Sequence, residues 1–283
     1  MTTNEIGLPV TPTYQVTQDD IDTLERDGVV ILKGALPLEW IEPLRQATED
    51  TINHPDCINL ASSPNREGEM VNLFFGWTVN KVFEALATHS PISEIAKAFL
   101  PGQQVQFFYD QMFVKRPGTD TPTPWHRDRN YYAINGKDFL SIWVPFDPVS
   151  ADETALTYLL GSHRHEGVLD RNGQVLKGGS SPNGLFDQMD DMPENCDTVT
   201  WDIELGDVVL HHLDTVHMAG QGKTNKTLRR AVATRWIGDD ITYRDAYSIL
   251  QEPRIAAGLE KIWPDLELKD DERHSSKHFP LVK

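Results

Sequence analysis

His126 and Asp128 stand two positions apart in the stretch Pro124-Trp-His-Arg-Asp-Arg-Asn-Tyr-Tyr132. Side chains alternate along an extended strand, so an imidazole and a carboxylate at this spacing share a face and can grip one side of a metal ion. His-x-Asp alone is common by chance. A second stretch far downstream, Gly206-Asp-Val-Val-Leu-His-His-Leu-Asp-Thr-Val-His217, gives it weight. There a Gly-Asp turn leads into an apolar strand, which ends in a loop carrying His217. Two histidines and one carboxylate form the donor set that leaves open positions on non-haem Fe(II). Further on, Arg229 and Arg230 open another strand-like run, Ala231-Val-Ala-Thr-Arg-Trp236. An arginine there can take a carboxylate by two parallel hydrogen bonds. Alternation lets only one of the two face inward.

These residues need a rigid frame. From residue 105 onward the chain reads as short strands divided by Gly/Pro turns: 105–115, the His126 strand, 140–145, 155–160, 198–203, 207–212 and 229–237. With few helices between them, they predict an antiparallel double sheet, or jelly roll. Helical patterns come earlier. Thr17 can cap a helix that Gly28 ends, and residues 29–32 read as a short buried strand. Residues 37–52 carry a core-facing stripe of Leu38, Ile41, Leu44 and Ala47, with Pro43 resetting the first turns. Residues 82–100 form a further helical stretch broken at Pro91. Residues 165–197 have little periodicity and read as either a functional lid or a disordered loop. Residues 241–283 read as a peripheral C-terminal extension with a short helix near 255–262.

The conjunction resembles the phytanoyl-CoA dioxygenase-like family of Fe(II)/2-oxoglutarate-dependent oxygenases, over about residues 21–240. Arg26-Asp-Gly-Val-Val-Ile-Leu32, Phe113-Val-Lys-Arg-Pro-Gly-Thr119 and Gly161-Ser-His-Arg164 add to the resemblance. It implies a mainly β fold with flanking α, a double-stranded β-helix (cupin-like) core with N-terminal helices packed outside, in a single domain spanning 1–283. It implies that His126, Asp128 and His217 hold Fe(II) and carry catalysis. Arg229, by its match to an Arg-x-Ala pattern, takes the far carboxylate of 2-oxoglutarate. Lys115 (with Arg116 beside it), Met112 and Trp143 match positions against that cosubstrate, and Thr227 and Gln221 are secondary candidates. The implied reaction consumes O2 and 2-oxoglutarate, releases succinate and CO2, and oxidises a small organic molecule, in the first instance by hydroxylation. Asp128 argues against the related halogenase variant, in which a small residue vacates that position.

Two departures stand out: Ala219 where some members have serine, and Glu153-Thr154 where Asn-Gly is frequent. Phe74, Trp77, Tyr109, Trp125, Tyr131 and Tyr132 are candidate walls of a substrate pocket, because such pockets favour aromatic linings. One of His211 and His212 is expected to face inward as a packed or hydrogen-bonded histidine. Arg235, six positions past Arg229, should share its face and form an ion pair nearer the sheet edge.

Composition narrows the partners. The 283 residues are 39% hydrophobic and 24% charged with a net charge of −17, and the pI is about 4.9. So acidic a chain repels phosphate backbones, which argues against nucleic acid and weakens the case for a coenzyme A thioester. Cys57 and Cys196 form no framework, which fits a reducing compartment. The first residues lack the apolar core of a signal peptide, and no run approaches the ~18 apolar residues that span a bilayer. A cytoplasmic protein without a membrane partner is expected. Two other readings stay open: a non-catalytic metal-binding jelly roll serving as a ligand-binding module, and a cupin-type metal isomerase or hydrolase. The first has no need of Arg229. The second generally recruits more histidines, or a glutamate, from the first metal strand.

Overall fold

The computed structural model describes residues 2–59, 70–100, 102–120, 122–132, 134–164, 197–220, 224–243, 272 and 279–282. Helix α1 (Gln18–Asp27) starts at Thr17, whose side chain accepts from the Asp20 amide while Asp20 reaches back to the Thr17 amide. It ends at Gly28, which takes the left-handed conformation (φ 78°) that costs other residues strain. Strand β1 (Val29–Leu32) follows directly. Helices α2 (Ile41–Ile52), α3 (Lys81–Thr88) and α4 (Pro91–Phe99) come before the main run of strands, with β2 (Ile58–Asn59) and β3 (Met70–Phe74) between α2 and α3. Asn80 and Ser90 cap α3 and α4, and Pro91 occupies the first turn of α4, where its missing N–H costs nothing.

Two antiparallel sheets face each other. The larger uses β4 (Val105–Lys115), β7 (Phe139–Pro145), β10 (Val208–His212) and β12 (Arg229–Ile237) in the order β1-β10-β7-β12-β4-β3-β2. The smaller comprises β5 (Thr123–His126), β8 (Leu156–Leu159), β9 (Thr198–Thr200) and β11 (His217–Ala219) in the order β5-β11-β8-β9. A small pair, β6 (Ile134–Asn135) with β13 (Thr242–Tyr243), lies apart. This is the expected jelly roll, a curled antiparallel half-barrel with helices outside.

Alternation explains why the large sheet is apolar on both sides. One face of β12, carrying Val232 and Trp236, joins Met112, Val114, Leu140, Ile142, Val144, Val208 and Leu210 under the helices. The other, carrying Ala231 and Ala233, meets Trp143, Val209 and Tyr158 between the sheets. Each large apolar side chain so buried contributes about 1.5–3 kcal/mol.

Three local expectations are corrected. Strand β5 stops at His126, and Asp128 opens a 3-10 turn, Asp128–Tyr131. His217 does not sit in a loop but begins β11, paired with His126. The end of the chain is not peripheral: β14 (Leu281–Val282) pairs with β4, and Phe279 is buried with its ring 4.9 Å from that of Phe108. The expected lid or loop, apart from its last residue, and the helix near 255–262 lie outside the described residues.

Candidate metal centre

His126 and His217 are direct cross-strand neighbours, so their rings come together at a centroid distance of 4.2 Å. Arg127 is extended (φ −113°, ψ 137°), which keeps Asp128 on the same side as His126 although the strand has ended. Asp128 Oδ1 lies 3.7 Å from His126 Nε2 and 3.9 Å from His217 Nε2. One donor atom from each of the three falls within 4.8 Å of the others, and all three side chains are buried. Donors about 2.1 Å from one ion at adjacent octahedral positions stand about 3.0 Å apart. The two separations from Asp128 are wider than this by less than 1 Å, which small side-chain rotations can close. The set fits an ion that takes two imidazoles and one carboxylate and keeps open positions.

Groups behind the donors aim them. His217 Nδ1 lies 3.0 Å from the Thr215 carbonyl. A hydrogen bond there leaves Nε2 unprotonated as a ligand. Asp128 Oδ2, turned away from the histidine pair, meets His211 Nε2 at 3.4 Å and an Arg235 terminal nitrogen at 3.5 Å. His211, Ser141 and Arg235 form one register row across β10, β7 and β12. Burial alone would raise the Asp128 pKa. The Arg235 charge and the His126 and His211 contacts outweigh it and hold the carboxyl well below its usual range. Burial, then His126 and His211, keep His217 far below an ordinary histidine, hence neutral.

A second cluster is built across β4 and β12. Arg229 pairs directly with Lys115, so two cations share one buried face. Arg229 bonds the Thr154 carbonyl, and its guanidinium carbon lies 5.8 Å from the centroid of the Trp143 ring. No carboxylate partners Arg229 among the described residues. Burial lowers its pKa to about 10. Burial and then Arg229 lower that of Lys115 to about 7. Like charges directly opposite each other destabilise a sheet, so the pair is suited to a bound anion. Arg230 turns outward to Asp147 (2.9 and 3.0 Å) and Glu49 (3.4 Å).

Not every candidate reaches this interior. Met112 is three residues from Lys115 on one strand and therefore faces the helices, where its methyl group approaches Gly76. Gln111 and Phe113 hold the inward positions instead. Trp125 alternates with His126 and packs on Leu159 and Val216. Thr227 is exposed, and Gln221 lies outside the described residues.

Phe74, Tyr109 and Tyr132 do assemble, together with Phe75, into an aromatic wall. The Tyr109 and Tyr132 hydroxyls bond each other, and the Arg235 guanidinium carbon lies 5.2 Å from the centroid of the Tyr109 ring. Trp77 stands behind this wall, edge-on to Phe107 at 5.8 Å. Its amide donates to Asp110 Oδ2 at 2.9 Å, which pins the turn where Phe75 adopts φ 60°. Only the backbone of Tyr131 falls among the described residues. Of the residues near the donors, Tyr158 beside His217 had no role assigned from the sequence; His211 is the inward histidine of its pair and meets Asp128, and the ion pair of Arg235 is made with the metal ligand Asp128 rather than nearer the sheet edge.

The sequence matches the phytanoyl-CoA dioxygenase (PhyH) family over residues 24–231. The chain belongs to the PhyH family. Its members are iron- and 2-oxoglutarate-dependent oxygenases. The chain is similar to a probable alpha-ketoglutarate-dependent hypophosphite dioxygenase of Stutzerimonas stutzeri, at 29% identity over 150 residues. That match covers 52% of this chain and 49% of the relative, about half its length. Phytanoyl-CoA dioxygenase of Arabidopsis thaliana is 20% identical over 254 residues, covering 76% of this chain and 87% of that protein. Among solved structures, the non-heme alpha-ketoglutarate-dependent carbocyclase SnoK from nogalamycin biosynthesis superposes with TM-score 0.73 at 22% identity, covering 97% of this chain and 100% of that one. The epimerase SnoN, in complex with Fe3+, alpha-ketoglutarate and nogalamycin RO, gives 0.70 at 21% identity, covering 94% and 98%. The structural likenesses establish the shared fold. No described helix is long and apolar enough to cross a membrane.

Proposed function

We propose that this chain is an Fe(II)- and 2-oxoglutarate-dependent oxygenase that hydroxylates a small organic molecule and releases succinate and CO2. The observation that carries the reading is the pairing of two buried clusters in one interior. One is the His126–Asp128–His217 donor set; the other is the Arg229–Lys115 cation pair. A metal-binding module without activity has no use for the cations. A cupin-type isomerase or hydrolase draws more donors from its first metal strand, where this chain offers His126 and then Asp128.

In this reading His126 Nε2, Asp128 Oδ1 and His217 Nε2 hold the metal. Fe(II) bound there supplies the O2 chemistry that no side chain can perform. Arg229 takes the distal carboxylate of 2-oxoglutarate, with Lys115 adding charge and Trp143 fixing the guanidinium plane. Burial of all these groups excludes water and strengthens each contact. Phe74, Tyr109 and Tyr132 bound the side where a substrate meets the centre. The relatives' named substrates are unlike one another (hypophosphite, phytanoyl-CoA, nogalamycin-type compounds), so the class proposed here is a small organic molecule, acted on in one domain.

The test is succinate release from 2-oxoglutarate with Fe(II), ascorbate and a panel of candidate substrates. Wild-type protein should release succinate, and His126→Ala should not. A wild-type protein that neither binds nor consumes 2-oxoglutarate across that panel would overturn the proposal.

A further inference from the structure

Tyr158 is fully buried on β8, directly opposite His217 on β11. Its ring stacks on His217 (5.7 Å between centroids, 29° between planes) and lies 5.4 Å from His211. Its hydroxyl has no hydrogen-bond partner among the described residues. Packing on two imidazoles does not explain a tyrosine, because phenylalanine would pack as well without burying an unbonded hydroxyl. Asp128, Arg235 and Arg229 all act on the hydroxyl electrostatically, and the side chain shares its apolar cluster with Trp143, Ala231 and Ala233 on the inner face of the large sheet. Arg229 Nε is likewise buried without a hydrogen-bond partner among the described residues. On the neighbouring strand, Ala219 presents only a methyl group, so a hydroxyl on this wall comes from β8.

We propose that Tyr158 is a cosubstrate-binding residue, its hydroxyl donating a hydrogen bond to an oxygen of 2-oxoglutarate held between the metal ligands and Arg229. The proposal rests on the reading of the site given above and names a contact that neither the charged residues nor the metal donors supply. Burial raises the phenol pKa, so the group is a neutral donor throughout the working range. It can thus bond an anion without adding a third charge beside Arg229 and Lys115.

The experiment is calorimetric titration of 2-oxoglutarate into Mn(II)-loaded full-length protein, wild type against Tyr158→Phe. Mn(II) titrations and thermal unfolding of both proteins accompany it. Losing a hydrogen bond to a charged group should weaken 2-oxoglutarate binding by about 10- to 150-fold. Mn(II) affinity should be unchanged, because the ring on His217 is retained. The unliganded variant should melt at or above the wild-type temperature, since the deleted hydroxyl has no partner to lose. Equal 2-oxoglutarate affinity in the two proteins overturns the assignment of Tyr158 alone. A parallel loss of Mn(II) affinity also overturns it, by showing that Tyr158 acts through His217. A wild-type protein that does not bind 2-oxoglutarate removes the site reading and this proposal together.

Discussion

Arg229→Ala should destroy tight 2-oxoglutarate binding while sparing the fold, and Arg230→Ala should do the reverse. The two residues are adjacent, yet the strand turns them to opposite faces. Arg229 is 5% exposed, lies opposite Lys115, and has no carboxylate partner among the described residues. Removing it relieves repulsion in the unliganded protein, so the melting temperature should hold or rise. With 2-oxoglutarate bound, the same truncation strands a buried carboxylate, at a cost of about 2–5 kcal/mol. That corresponds to a roughly 30- to several-thousand-fold rise in Kd. Arg230, in contrast, grips both oxygens of Asp147 at 2.9 and 3.0 Å in a half-buried outer network with Arg45 and Glu49. Its loss should cost about 1–2 kcal/mol of stability, or a few degrees in Tm, with little change in Kd. Calorimetry on Mn(II)-loaded protein and thermal unfolding read the two quantities separately. The opposite ranking would refute the assigned strand facing, and negligible effects from both would refute the anion site.

Other outcomes follow from the same geometry. Lys115 has its pKa lowered from 10.5 to about 7, and a bound dianion favours its charged form, so 2-oxoglutarate affinity should fall as pH rises above 7. Without ligand the sign reverses: between about pH 7 and 10.5 the unfolded chain binds the extra proton, so stability should rise with pH. Lys115→Met should flatten both profiles in titration and unfolding experiments. Arg235→Leu should weaken Mn(II) binding by about 10- to 100-fold by leaving Asp128 Oδ2 to His211 alone, and Arg235→Lys should recover part of it; unchanged affinity would mean Arg235 does not orient the ligand. At Gly220 (φ 72°) an added Cβ would come within 3.1 Å of Thr154 and 3.2 Å of Lys115 Nζ. Gly220→Ala should therefore lose about 1–2 kcal/mol of stability and weaken 2-oxoglutarate binding, measurable in the same two assays.

Much of the frame was legible because alternating burial and Gly/Pro punctuation act locally. Thr17, Gly28 and Pro91 mark real helix ends, and 105–115 and 229–237 are strands to the residue. What depends on contacts across the fold was not. Arg235 shares the face of Arg229 as alternation requires, but its partner Asp128 lies 107 positions away in sequence. His211 could be narrowed only to one of two histidines, and the strand register selects it. Alternation itself excludes Met112 from the cosubstrate side, since three positions from Lys115 means the opposite face. The strand end at His126 and the Phe75 turn are set by tertiary pairing and by Asp110, which no local signal reveals. The C-terminal residues looked peripheral because a two-residue strand has too short a pattern to register.

The decisive measurement is anaerobic binding of Fe(II) followed by 2-oxoglutarate, in wild type and in Asp128→Ala. Each wild-type chain should bind one iron and one 2-oxoglutarate, with tighter 2-oxoglutarate binding once iron is present, and the variant should lose the iron. A wild-type chain that retains no iron, or that binds 2-oxoglutarate equally well with and without it, would contradict the assignment of His126, Asp128 and His217 as an iron site beside the Arg229 anion site.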